Sequence, residues 1–213
     1  MLKKIAFFIV LLLSHSYLLA QKSEDNPISQ KLLKEIQKAA KDYLADFEEY
    51  TEKLSMSRNP KLKETCKDFL RKLFKPDAII EVTSLQKPTP NTYSVERYLN
   101  TVANYTTRFS VVVFSIEITP VEAKDISPVK NNQGEIIGYK GTAKYSQSFC
   151  VKKEKVERET TRYEFEDFDV CEKTVKTVTF YYEKRYSPYL GSNTWIFLLG
   201  DIKAKPPVNL KTE

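Results

Sequence analysis

Apolar residues recur along the first third of the chain at steps of three and four: Leu32, Ile36, Ala39, Tyr43, Phe47, Tyr50 and Leu54. That spacing places them on one stripe of a helix, with Lys and Glu on the other side, and predicts a long amphipathic helix over residues 28–55. The stripe reads as the face that docks on the chain's own core. Residues 57–60 break it. Pro60 suits the first turn of a second helix, where Leu62, Cys66, Phe69, Leu70, Leu73 and Phe74 keep helical spacing across 61–74. Pro76 stops that helix. A short strand is predicted at 77–84 and a loop at 87–92, which holds two prolines. Ser94 can cap a third helix over 95–103, with Val95, Tyr98, Leu99 and Val102 inward.

From Phe109 the period changes to two. Residues 109–119 are apolar on both faces in their first half, so both faces are expected to be covered. Residues 120–138 read as a long connection with Asn131, Asn132 and Gly134 as turn candidates. Over 139–152, Ala143, Tyr145, Gln147, Phe149 and Val151 alternate with Thr142, Lys144, Ser146 and Ser148, the pattern of a strand with one buried face. Residues 153–172 are a charged excursion whose apolar members are Tyr163, Phe165 and Phe168. Two long strands within 173–203 follow, joined by a turn at 187–193. The first is rich in β-branched and aromatic residues from Val175 to Tyr182; the second, from Trp195 to Ile202, is apolar almost throughout. This hairpin is the expected base of a curved sheet. The tail 204–213, with Pro206-Pro207, is expected to be loose.

The N-terminus changes the setting. Lys3 and Lys4, an apolar run over 5–13 and the ending Leu18-Leu19-Ala20 make a secretory signal peptide, cleaved before Gln21. The run is too short to span a bilayer. No Cys follows Ala20, so no lipid anchor and no stable membrane attachment are expected. The organisation predicted is signal peptide 1–20, linker and long helix 21–60, main domain 61–203 and tail 204–213, with the mature protein in the periplasm or outside the cell. Formal charge is +6, lowered by two when Lys3 and Lys4 leave. Acidic and basic residues are interspersed, which reads as a solvated surface and not as a nucleic-acid stripe.

One absence narrows the chemistry. The single histidine, His15, lies in the signal peptide. Histidine general bases, Ser-His-Asp and Cys-His nucleophiles and histidine metal ligation are all removed from the mature chain. Carboxylates, Tyr, Lys and Cys remain. Of three cysteines, Cys66 falls on a helical apolar face, while Cys150 and Cys171 bracket the charged excursion and could pair, a matter for Cα geometry. None has metal-ligand spacing. The acidic cluster Glu164, Glu166, Asp167 and Asp169 lacks the spacing and glycine of an EF-hand and reads as a solvated strand face. No metal or cofactor is expected.

The element order, with CKDFLRKLFKPDAIIEVTS, SVERYLNTV, KTVKTVTFYYE and TWIFLLGDIK, resembles the NTF2-like (SnoaL/ketosteroid-isomerase-like) superfamily over residues 61–203; with the signal peptide it is similar to exported Bacteroidetes-type members. The resemblance implies an α+β fold: a cone-like, strongly curved antiparallel sheet wrapped around N-terminal helices. Members include isomerases, dehydratases, cyclases and non-catalytic binding or scaffolding domains, so fold does not choose a function. A ketosteroid-isomerase-like site needs a carboxylate base and acidic donors. Asp77, Tyr93, Tyr98, Tyr145 and Tyr182 are available by type, but no spacing joins them and no catalytic residue is assigned. Asp77 reads as a turn carboxylate. A scytalone-dehydratase-like site relies on histidine and is excluded by composition.

Tyr181, Tyr182, Tyr186 and Tyr189, with Trp195, could form an aromatic platform for a sugar or peptide. The expected function is an exported, non-enzymatic ligand-binding or protein-interaction domain, compatible with a homodimer. Its partner would be a small apolar ligand, a glycan or a protein, with Tyr98, Tyr145, Tyr182 and Trp195 as binding residues. The alternative is an isomerase-, cyclase- or dehydratase-like enzyme using a carboxylate and a tyrosine in the cone. The cone lining discriminates. Two or more ionisable groups converging in a deep pocket favour the enzyme, and a filled apolar cone favours binding or scaffolding.

Overall fold

The structure is a computed structural model that describes residues 28–105, 109, 111–152, 169–189 and 191–210. The signal peptide expected at 1–20, Glu164, Glu166 and Asp167 lie outside the described residues, as do the side chains of Val111, Val113 and Phe114.

Helix α1, Gln30–Met56, begins at Ser29, whose hydroxyl accepts a hydrogen bond from the Leu32 amide at 3.2 Å. It buries Ile36, Ala40, Leu44, Phe47, Thr51, Leu54 and Ser55. The buried stripe is therefore rotated slightly from the one the aromatic residues suggest. Small residues at 40 and 51 occupy its centre, and Ser55 lies at its edge. Tyr43 and Tyr50 border it, their rings against Phe197 (5.0 Å between centroids) and Phe69 (3.9 Å). Helix α2, Pro60–Leu73, starts at Asn59, whose Oδ1 accepts from the amides of Lys61 and Leu62, and it buries Cys66, Leu70 and Leu73. Helix α3, Val95–Ala103, is capped by Ser94 and turns Val95, Tyr98, Leu99 and Val102 inward.

Among the described residues, one eight-stranded sheet carries the rest. Its strands are β1 (Ile79–Ser84), β2 (Lys87–Ser94), β3 (Val111–Thr119), β4 (Ile126–Lys130), β5 (Ile136–Lys152), β6 (Val170–Ser187), β7 (Ser192–Ala204) and β8 (Val208–Asn209). The order is β2-β1-β7-β6-β5-β3, with β4 paired to β5 and β8 to β6. The β6–β7 hairpin lies in the middle, joined by a turn in which Gly191 takes φ +60°. Register shifts at 82/84, 129/130 and 178/180 mark bulges, which bend strands. The fold is α+β, with the N-terminal helices against one face of a single large open sheet.

Four expectations are corrected. Residues 87–92 are not a loop: they belong to β2, the edge strand, where Pro88 and Pro90 are exposed and need no ladder donor. The connection 120–138 contains β4 and a turn with Gly134 at φ +81°, and β5 begins at Ile136. The sheet is mixed, because β1 runs parallel to β7 at Ile80 and Ile202. Two carboxylates stitch that pair: Asp201 Oδ1 accepts from the Ile79 amide and Glu81 Oε2 from the Ala204 amide, each at 3.0 Å. In the tail, β8 pairs with Glu172 and Lys173, and the Leu210 amide donates to the Cys171 carbonyl at 3.0 Å.

Directly opposed residues of an antiparallel ladder share a face. On β5 the row Tyr139, Gly141, Ala143, Tyr145, Gln147, Phe149, Val151 stands against Tyr182, Phe180, Val178, Lys176, Thr174, Glu172, Val170 on β6. This is the face that meets the helices. Ile36, Leu44 and Phe47 of α1 share one core cluster with Leu70, Leu99, Ala143, Val178, Phe180 and Leu199. Among the described residues no helix is long and apolar enough to cross a membrane.

Candidate functional site

Along that inward face the apolar packing gives way to polar residues toward the Val151–Val170 end of the described β5–β6 ladder. Gln147, Glu172, Thr174 and Lys176 are all buried there, and Thr83 of β1 closes the group. Among the described residues, five of the seven that are buried and polar or charged thus line one chamber, of ≈ 110 Å³, together with Val82, Ser84, Tyr98, Tyr105 and Phe149. Such clustering is not how a core is ordinarily filled, because each unpaired polar group costs free energy when taken from water. Ser84, Phe149 and Glu172 also wall an open cleft of ≈ 600 Å³, whose other lining residues are Leu85, Gln86, Phe109, Val151 and Val170. A polar chamber therefore opens beside an apolar mouth.

Each chamber residue is held by its element. Tyr98 projects from α3 and stacks against Phe47 of α1 with centroids 6.3 Å apart. Its hydroxyl meets the side-chain amide of Gln147, and burial pushes its pKa above the ordinary phenol range. Tyr145 is 1% exposed and its hydroxyl has no hydrogen-bond partner among the described residues. Burial, and then the neighbouring Tyr98, raise it as well. Glu172 Oε2 accepts from the Leu85 amide at 2.8 Å, yet burial outweighs that bond and holds its carboxyl above the usual range. Thr83 donates to the Lys205 carbonyl at 3.0 Å.

Lys176 is the most unusual member. It is 6% exposed, and among the described residues no ion pair or hydrogen bond reaches its Nζ. Burial lowers its pKa from 10.5 to about 8, partly offset by the Glu172 charge on the same strand face. Cys150 and Cys171 flank this region as a directly opposed pair and are bonded, with Cα atoms 4.2 Å apart. Cys66 is free and buried on α2.

The four binding residues picked from sequence fall into two pairs. Tyr98 lines the chamber, and Tyr145 is buried near it without lining it. Tyr182 and Trp195 stack 4.8 Å apart at the other end of the same face, with Tyr139 at 6.0 Å from the indole and Lys184 over it at 5.3 Å. Tyr139 and Tyr145 are six residues apart along β5, about 20 Å at ~3.3 Å per residue. Asp77 is exposed in the turn before β1, and Tyr93 lies on β2 with Arg97 over its ring. Neither lines the chamber. Lys176, Glu172 and Gln147 were missed. The signal was present: Glu172, Thr174 and Lys176 occupy alternate positions leading into Val178 and Phe180, so polar residues continue an inward row.

No protein-family model and no curated protein matches the chain. Among solved structures it is similar to a type 2 hexachlorocyclohexane dehydrochlorinase (12% identity, TM-score 0.41, covering 85% of this chain and 93% of that one). It is also similar to the Kfla4162 protein of Kribbella flavida (11%, 0.39, 82% and 93%) and to the intermembrane-space region of the chloroplast protein ARC6 (11%, 0.36, 80% and 96%).

Proposed function

We propose that the cleft takes up a small amphipathic organic molecule. Its apolar part lies against Phe109, Phe149, Val151 and Val170, and its electron-rich end reaches Lys176. The observation that carries this reading is Lys176 itself: a lysine only 6% exposed, at the wall of a chamber beside an apolar mouth, with Glu172 the one acidic residue in the same lining. A cation held there is poorly solvated, and a ligand oxygen would relieve that cost. The convergence of Glu172 and Lys176 favours small-molecule chemistry over a filled scaffold cone.

Displacement of a fluorescent apolar dye by straight-chain and aryl carboxylates tests this. Binding should weaken about tenfold or more in Lys176→Met and in Phe149→Ala, on the scale of one charge-assisted hydrogen bond or one buried ring. Equal affinity in Lys176→Met would place the ligand elsewhere. A second reading rests on the Tyr139–Trp195–Tyr182 stack, where Trp195 is 39% exposed. Stacked, half-open aromatics suit a sugar face, and glycan binding lost in Trp195→Ala would favour it.

A further inference from the structure

We propose that Lys176 is a nucleophile that captures an apolar aldehyde or ketone as a reversible imine at its Nζ, inside the chamber it shares with Tyr98 and Glu172. The proposal rests on the small-molecule reading of the cleft and names its substrate class. A site built only to hold an anion would keep its cation charged. The geometry here works against the charge. The facing groups are neutral at ordinary pH: the hydroxyls of Tyr145 across the ladder, Tyr98 on α3 and Tyr105 after it, with Gln147 and Thr174. Glu172, on the same strand face, is the one acidic residue in the chamber lining. Lysine loses its proton readily in such surroundings, which is what imine-forming lysines need. With the amine near 8, roughly a quarter is free base at pH 7.5, against about 0.1% for an ordinary lysine.

The chemistry balances without an oxidant or reductant. The Nζ lone pair attacks the carbonyl carbon, and the π pair moves to oxygen, which takes up the proton that nitrogen releases. Tyr98, which lines the same chamber as Lys176, can donate a hydrogen bond to that oxygen. The carbinolamine hydroxyl then takes a proton from the Glu172 carboxyl, whose raised pKa increases its protonated share, and leaves as water. The nitrogen lone pair closes the C=N bond, and the remaining N–H proton returns to Glu172. Amine and carbonyl have become imine and water. The apolar mouth selects carbonyl compounds with a hydrocarbon body and excludes strongly hydrated ones.

The test is reductive trapping. The full chain is incubated with 4-isopropylbenzaldehyde and sodium cyanoborohydride at pH 7.5, and adducts are located by intact mass and peptide mapping. One adduct on Lys176 is expected, forming about tenfold faster than on any other lysine, since lower basicity takes back part of the gain in free amine. Lys176→Met, which retains the cleft, should lose it and keep only the slow background. Labelling of Lys176 no faster than surface lysines would overturn the proposal. Thermal shift with 4-isopropylbenzyl alcohol separates the two readings. If the alcohol binds and no Lys176 adduct forms, the imine fails and the cleft stands; if neither is seen, both fail.

Discussion

Lys176 stands directly opposite Tyr145 across the β5–β6 ladder, both buried on the face that meets the helices. Four rungs further toward the helices' packed core the same ladder holds Gly141 against Phe180, a purely apolar contact. The inward face thus changes from packed core to polar chamber within a few residues. Nothing in core packing requires a lysine at that rung. A hydrophobic residue there would extend the row of Val178 and Phe180, so the lysine is retained at a cost in stability.

Lys176→Met should therefore stabilise the protein at pH 7, by about 1–3 kcal/mol. The folded chain holds this amine at about 8 and the reference value is 10.5. Between those values the unfolded chain binds the extra proton, so wild-type stability rises as pH climbs from 8 toward 10.5, and the advantage of the variant shrinks. Urea unfolding at pH 7 and pH 10 measures this. A variant less stable than wild type at pH 7 would contradict the burial argument.

Leu44 is fully buried on α1, and Leu62 on α2 is 43% exposed. Leu44→Ala should cost about 2–5 kcal/mol and Leu62→Ala about 0.5 kcal/mol or less. Equal effects in thermal denaturation would show that α1 does not share the main core.

At Gly141 a Cβ would lie 2.4 Å from Phe180 Cζ and 2.8 Å from the Asp125 carbonyl oxygen. The ring could shift, but the backbone oxygen is held by the turn before β4. Gly141→Ala is expected to destabilise by about 1–3 kcal/mol, the usual cost of overpacking. Gly134→Ala meets no atom within 4 Å and is strained only by its positive φ of 81°. Its cost should be nearer 1 kcal/mol. A reversed order of the two melting temperatures would refute the close-packing account.

The Cys150–Cys171 bond closes a loop with a sequence separation of 21. Replacing both residues by serine should lower stability by about 2–4 kcal/mol through the unfolded chain's recovered freedom. The bond also joins the rungs next to Phe149–Glu172 and Val151–Val170, which line the cleft. Ligand displacement should weaken in the same variant. Unchanged melting with and without reductant would remove the bond from the stability account.

Local chemistry made much of the fold legible. Ser94 and Pro60 mark helix starts because caps and first turns depend on neighbours only a few residues away. The alternation from Ala143 to Val151 marks one buried face because a strand repeats every two residues. Tertiary structure decided what depends on partners far along the chain. Pro88 and Pro90 fit a strand only because β2 lies at the sheet edge. The parallel β1–β7 pair depends on Asp201 and Glu81 reaching across more than a hundred residues to amides. Tyr98 and Tyr145 meet, while Tyr182 and Trp195 stack some 20 Å away, because register sets position along a face and type does not. Lys176 looks in sequence like any charged strand residue. Only the pairing that turns it inward, opposite Tyr145 and into the chamber that Tyr98 of α3 also lines, buries it and makes it the centre of the proposed site.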